Sequence, residues 1–407
     1  MATANSWAQD LWSLGSGRPS IAGSEAAAAR QKSSLNESYN LQIGPIRFSL
    51  SSTFRAEFND NTNLSQTSPQ SDIILEPHLY LNGVWPITKV NDLHINLGIG
   101  FISYLLHNDR PGSNTVAIDP GSDVNFDLFI DDSLRLNFHD RFFISYDPVD
   151  QATLSNVRDF GRFENIGGVT AIWDMNAIIV RATYDHYNYV SLTSEFNYLN
   201  RNAEIFKPSI AYTVTEAILA GFDGSVMVSY YSQNFLNDST MISAGPWLET
   251  SFGRYLKLRA AAGYQGGYFY GGGGGNSNNS NLTGWFGNLS MAHRINSSLT
   301  QRLAAGHEEM LGLNANYETI DYVRYSLDTS AIRAIPTSFY VFYEHVSDSP
   351  DIQSQTLDRA GVGIHFAYRL SSKATLGLDY QFLKKNSNLQ DFDYTQNRVF
   401  LTSNYQF

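Results

Sequence analysis

From residue 44 onward, apolar and polar positions alternate with a period of two, segment after segment. In IRFSLSSTFRAEF (46–58), Ile46, Phe48, Leu50, Phe54, Ala56 and Phe58 share one side. Arg47, Ser49, Ser51, Thr53, Arg55 and Glu57 share the other. LHINLGIGFISYL (93–105), RAGVGIHFAYR (359–369) and TLGLDYQFL (375–383) repeat the pattern. The chain ends on it too: in RVFLTSNYQF, Val399, Leu401, Tyr405 and Phe407 alternate with polar residues, with Phe400 and Ser403 as exceptions. A period of two is a β-strand with one apolar and one wet face.

The connections decide the topology. Short ones fall at 88–92, 139–141, 174–176, 214–216, 253–254, 295–298, 329–335 and 371–373. Longer polar ones fall between them, at 59–71, 107–122, 148–164, 188–204, 233–239, 270–281, 309–315, 347–357 and 385–393. This strict alternation predicts an all-β fold, a transmembrane antiparallel up-and-down β-barrel with short periplasmic turns and longer extracellular loops. The segments number about 18, with 16 possible, an even count that returns both ends to one side. In this register Asp132, and either Asp321 or Arg324, would face lipid unless a strand bulges or extends above the membrane. Trp85, Trp173, Trp247, Tyr104, Tyr146, Tyr230, Tyr264 and Tyr368 fall near strand ends, where interfacial aromatic girdles belong.

Composition narrows the reading. Of 407 residues, 43% are hydrophobic and only 16% charged, while uncharged polar residues, Tyr and Phe fill the difference. The absence of cysteine excludes disulfide scaffolds, thiolate metal sites and cysteine nucleophiles. A formal charge of −12 argues against nucleic acid as a partner. No apolar run approaches the ~20 residues of a membrane helix, which leaves barrel strands as the spanning element. The expected location is the bacterial outer membrane, although MATANSWAQDLW shows no signal peptide.

Residues 1–43 read as a periplasmic extension, plug or linker, and 44–407 as the barrel. None of the long connections much exceeds the ~15 residues of an unusual loop. The extension is therefore expected to narrow the pore, with Trp7, Trp12 and Ala26–Ala29 as anchors.

The terminal FLTSNYQF resembles the C-terminal signature of bacterial outer-membrane proteins. That resemblance implies that Val399, Leu401, Tyr405 and Phe407 are read by the barrel assembly machinery. FRAEFNDNTNLSQTS (54–68), DIILEPHLYL (72–81) and RLAAGHEEM (302–310) give the chain a likeness to β-barrel porins associated with exopolysaccharide gene clusters. Three functions are open: a channel for passive diffusion of hydrophilic solutes, a conduit for secreted polysaccharide, and a structural or adhesive barrel with a filled lumen. Barrels of 16–18 strands typically enclose water, which favours the first. Outer-membrane lipid and lipopolysaccharide are the expected surroundings, and the oligomeric state stays open.

Candidate chemistry is sparse, and no enzyme, metal or cofactor is expected. GHEEM (306–310) lacks the second His of a zinc-protease helix and lies on a strand. Gly271–Gly275 with NSNNSN lacks the Lys and Ser/Thr of a phosphate loop and reads as an external loop. An outer-membrane lipase with a Ser–His pair on the barrel wall is conceivable, but no local motif supports one. The interior face is predicted to carry Arg47, Arg55, Glu57, Arg135, Arg181, Asp185, Asp223, Lys257, Arg259, Arg359, His365, Arg369, Asp379 and Arg398. This pore lining looks basic, with the excess acid in loops at positions such as Asp60, Asp147 and Asp393. Either it tunes selectivity, or its charges pair with one another.

Overall fold

The computed structural model describes residues 39–109, 112–271, 280–330, 332, 335–350 and 354–407. The expected plug residues Trp7, Trp12 and Ala26–Ala29 lie outside them, as does most of the glycine-rich loop. The strands are β1 (Leu41–Ile43), β2 (Ile46–Asn59), β3 (Asp72–Pro86), β4 (Asp92–Tyr104), β5 (Asn114–Phe129), β6 (Leu134–Ser145) and β7 (Arg162–Asp174). They continue with β8 (Ile178–Ser191), β9 (Arg201–Thr215), β10 (Ile218–Tyr231), β11 (Asp238–Phe252), β12 (Leu256–Tyr270) and β13 (Leu282–Asn296). The last six are β14 (Leu299–Leu311), β15 (Tyr317–Thr329), β16 (Thr337–Asp348), β17 (Thr356–Arg369), β18 (Ala374–Ser387) and β19 (Tyr394–Gln406).

Strands β2 to β19 pair antiparallel in chain order, and β19 closes on β2, with Val399 opposite Phe58 and Leu401 opposite Ala56. The barrel therefore has 18 strands. Closure leaves no free edge, the only way a sheet can sit in lipid. Residues 41–43, expected in the extension, form β1 and pair with the start of β2. Just before it, the Asn40 amide donates to the carbonyls of Leu50 (2.7 Å) and Phe407 (2.9 Å), clamping first and last strands together.

One turn departs from expectation. HDR (139–141) lies inside β6, and the turn is at 130–133, between β5 and β6. DPGS (119–122) is not loop but an irregularity within β5, where the register shifts against both neighbours. Turn-forming residues in a strand interior commonly mark such a bulge. The correction puts Asp132 in a turn. Arg324 faces inward, its guanidinium 5.5 Å from the Tyr340 ring. Asp321 does face outward, held by His307 at 2.7 Å.

The outer wall carries an apolar band. On β16, Phe339, Val341 and Tyr343 lie below His345; on β17, Ala360, Val362, Ile364, Phe366 and Tyr368 lie below Asp358. His307, Asp321, His345 and Asp358 are successive cross-strand neighbours on β14 to β17, forming a polar row at the long-loop end. Across the barrel, His186 and Glu204 pair at 2.8 Å in the same manner. About eight to ten residues of strand separate this row from the short turns. At ~3.3 Å per residue and a ~40° tilt, that is roughly 20–25 Å, the height of a hydrocarbon layer.

Trp85, Trp173, Tyr230, Tyr264 and Tyr368 are exposed on this wall. Trp247 and Tyr104, expected beside them, face inward against Arg259 and Arg158. Tyr146 begins a loop rather than a girdle. Among the described residues, no helix is long and apolar enough to cross a membrane.

Candidate functional site: the lumen and its inward loop

The loop joining β6 to β7, residues 146–161, does not stay at the rim. Leaving β6, Asp147 accepts from the Val149 N–H (3.0 Å) and caps a 3-10 turn at Pro148–Asp150. The chain then crosses to the far wall. There the Val149 carbonyl accepts from Arg359 of β17 (2.7 Å), and Asp147 meets Arg398 of β19 at 2.9 Å.

Lys385 of β18 has no exposed surface. Its ammonium donates to the carbonyls of Thr153 (3.0 Å) and Leu154 (3.0 Å) and to the Ser155 hydroxyl (2.9 Å). At the tip, Asn156 takes φ 58, a left-handed conformation that asparagine tolerates. Its N–H reaches the Leu64 carbonyl at 3.0 Å and its side chain the Asp391 carbonyl at 2.9 Å. The return leg closes where the Phe160 N–H meets the Tyr146 carbonyl (3.1 Å). Any Cβ on Gly161 would press on the Tyr146 ring. The loop is a strap across the lumen.

Its two flanks differ in chemistry. Toward β7 to β15, Leu154 and Phe160 join a buried apolar cluster with Ile166, Tyr187, Phe196, Leu199, Ile205, Met227, Leu236, Met241, Phe269 and Leu313. Loops after β8, β10 and β14 contribute Leu199, Leu236 and Leu313, so the mouth on that side is packed rather than open. Toward β19, β2, β3 and β5 the neighbours are charged. Arg398 pairs with Glu57 (2.6 Å), Arg55 bridges Glu57 (3.0 Å) and Glu76 (3.4 Å), and His78 lies between Glu76 (3.4 Å) and Asp119 (3.2 Å).

Burial alone would push the Asp147 carboxyl up. The Arg398 guanidinium and the Val149 N–H, with Arg55 beyond, bring it below the usual carboxylate range instead. Asp159, at the base of the strap, goes the other way: burial raises it, and its bonds to Thr193 and Gly161 and the nearby Arg158 only partly offset that.

By cross-strand register, the interior face carries all of the wall residues singled out from the sequence. Arg359 pairs with the Glu344 carboxylate and Asp379 with His365 (2.5 Å). Asp223 accepts from Trp247 (2.8 Å), Ser209 (2.7 Å) and Arg259 (3.2 Å), and Lys257 holds Glu249 at 2.8 Å. Asp185 joins His139 (2.9 Å) to Lys207 (3.0 Å), and Arg135 approaches Asp127 at 3.7 Å. Arg181 lies opposite Ile172 and Ser209. Near the short turns, Arg47 lies 5.9 Å from the Tyr39 ring and Arg369 donates to the Ser371 carbonyl.

The basic surplus expected of this wall is largely matched by acids the alternation did not pick out: Glu76, Glu164, Glu249 and Glu344. Asp147, assigned to a free loop, is tied to the wall. Lys385, His78 and the strap were also missed.

A closed 18-strand barrel with an apolar outer band and a polar, strapped interior has the architecture of an outer-membrane channel. No protein-family model matches this sequence, and no curated protein matches it. Solved structures share the fold. Pseudomonas aeruginosa OccK2 (OpdF), in complex with glucuronate, aligns with a TM-score of 0.53 at 10% identity over 90% of this chain and 99% of that one. P. aeruginosa OpdQ gives 0.52 at 11% identity over 90% and 100%. P. aeruginosa OpdK with vanillate gives 0.51 at 11% over 88% and 99%. At such identities the likeness establishes the barrel and nothing finer.

Proposed function

We propose that the chain is a porin-like channel of the bacterial outer membrane through which small hydrophilic solutes diffuse. The observation that carries this reading is the strap. A polar lumen crossed by an anchored loop and packed at one side of its mouth passes small solutes and hinders a polymer, which disfavours the polysaccharide conduit. The match to OpdK, an outer membrane protein solved with vanillate, and to OccK2 solved with glucuronate supports the same reading.

In this proposal Arg55, Glu57 and Arg398 border the narrow level beside the strap. Arg135, Arg181, Asp185, Asp223, Lys257, Arg259, His365 and Asp379 line the wider vestibule beneath it, and Arg47 and Arg369 its exit. Arg359 holds the strap. Planar-bilayer recordings should show discrete conductance steps from folded protein. A bilayer that stays silent after repeated insertion overturns the reading and leaves the filled barrel. Val399, Leu401 and Tyr405 are exposed along the closing strand and Phe407 just beyond it, which supports reading them as an assembly signal. Deleting Phe407 should lower the yield of heat-modifiable barrel in cells; an unchanged yield excludes that role.

A further inference from the structure

The polar row on the outer wall contains an arrangement that sequence spacing alone does not display. His345 and Ser347 sit two residues apart on the outward face of β16. The Ser347 hydroxyl is 3.3 Å from His345 Nε2, and His345 Nδ1 is 2.9 Å from Asp358 Oδ1 across the β16–β17 pair. Asp358 is itself fixed by the Tyr343 hydroxyl at 2.5 Å.

With Nδ1–H donated to the carboxylate, Nε2 is left to accept the serine proton, which is the role geometry of a nucleophile, a base and an orienting acid. The neighbouring outward pairs differ. The second nitrogen of His307 faces Glu309 at 3.9 Å rather than a hydroxyl, and His186, held by Glu204 at 2.8 Å, has Asn188 two residues on where His345 has Ser347.

Position adds the substrate. The group stands where the apolar wall ends, the depth at which acyl esters of a lipid leaflet lie. Apolar Val341 and Val323 sit just below it, both exposed. We propose that Ser347, His345 and Asp358 form a second, lipid-facing site that hydrolyses the acyl esters of glycerophospholipids, independent of the pore.

Ser347 Oγ attacks the ester carbonyl carbon while its proton passes to His345 Nε2. The tetrahedral intermediate collapses, His345 returns that proton to the departing glycerol oxygen, and lysophospholipid leaves. Water then attacks the acyl-serine as His345 Nε2 takes its proton; the tetrahedral intermediate collapses, His345 returns that proton to Ser347 Oγ, and the fatty acid leaves. Thr356, exposed and paired with Ser347 across the strands, supplies a hydroxyl donor for the oxyanion on the same face.

The test uses detergent-folded full-length protein in mixed micelles with phosphatidylethanolamine carrying a fluorescent acyl chain. Fatty acid release is expected from the unaltered protein and should fall by roughly 100-fold or more in Ser347→Ala and in His345→Asn. His186→Asn, on the far side of the barrel, should keep it. Hexadecanesulfonyl fluoride should label the peptide containing Ser347, read by mass spectrometry. Conductance should be the same with and without Ser347→Ala, which separates failure here from failure of the channel reading. Release that survives Ser347→Ala, or no release and no label from a preparation that still inserts as a barrel, overturns the proposal.

Discussion

The two flanks of the strap hold it by different physics. Its near side is fixed by area: Leu154 and Phe160 are buried in a cluster fed by several loops, with the Phe160 and Phe196 rings edge to face at 4.8 Å. Its far side packs only Val149 and Ala152 into two small apolar groups and is fixed chiefly by direction. Three cations from three adjacent strands, Arg359, Lys385 and Arg398, reach individual oxygens of the strap. Apolar packing tolerates small shifts and loses strength gradually, whereas hydrogen bonds to a buried cation are made or lost. The near side should therefore govern how stiff the strap is, and the far side whether it crosses the lumen at all.

The sharpest way to break this contrast is Lys385→Met. It keeps the volume of the side chain and deprives three oxygens of their donor, at a cost of roughly 1–3 kcal/mol for each buried acceptor left unsatisfied. The strap tip should then leave the wall, and single-channel conductance should rise several-fold. Leu154→Ala removes about 2–5 kcal/mol of packing from the other flank. There the prediction is a milder change, with mean conductance nearly kept and open-channel noise increased. If the two variants behave alike, the flanks are not distinct.

Much of the fold was legible because a barrel wall enforces period two on nearly every strand: one side meets hydrocarbon and the other water. Where the chain breaks that rule, reading failed. Asp119-Pro120-Gly121-Ser122 carries turn residues inside β5, so the following turn was displaced from 130–133 to 139–141.

The strap was missed for a related reason. Length alone marked 148–164 as ordinary, but Val149, Leu154, Val157 and Phe160 are too apolar for a loop in water, and that was the available signal. Lys385 on a strand could be assigned a face but not a partner 230 residues away. The expectation of a plug rested on finding no inward loop, so the strap removes its motive.

Acid provides the finest probe of the difference. The Asp147 carboxyl is held below its ordinary value, so its contact with Arg398 adds stability above that value and loses it only as pH falls through the lowered one. Asp159 is held above its ordinary value, so its charge costs stability at neutral pH and protonation relieves that cost first. Acidification should thus quieten the near side before it frees the far side. Conductance should hold steady from pH 7 to about pH 4, with no added noise, and then rise below about pH 4. In Asp147→Asn the acid limb should vanish, because the carboxylate that titrates is gone. An onset near pH 5 in the unaltered protein, or an acid limb untouched by Asp147→Asn, would place the sensitive group on the wall and detach the latch from Asp147.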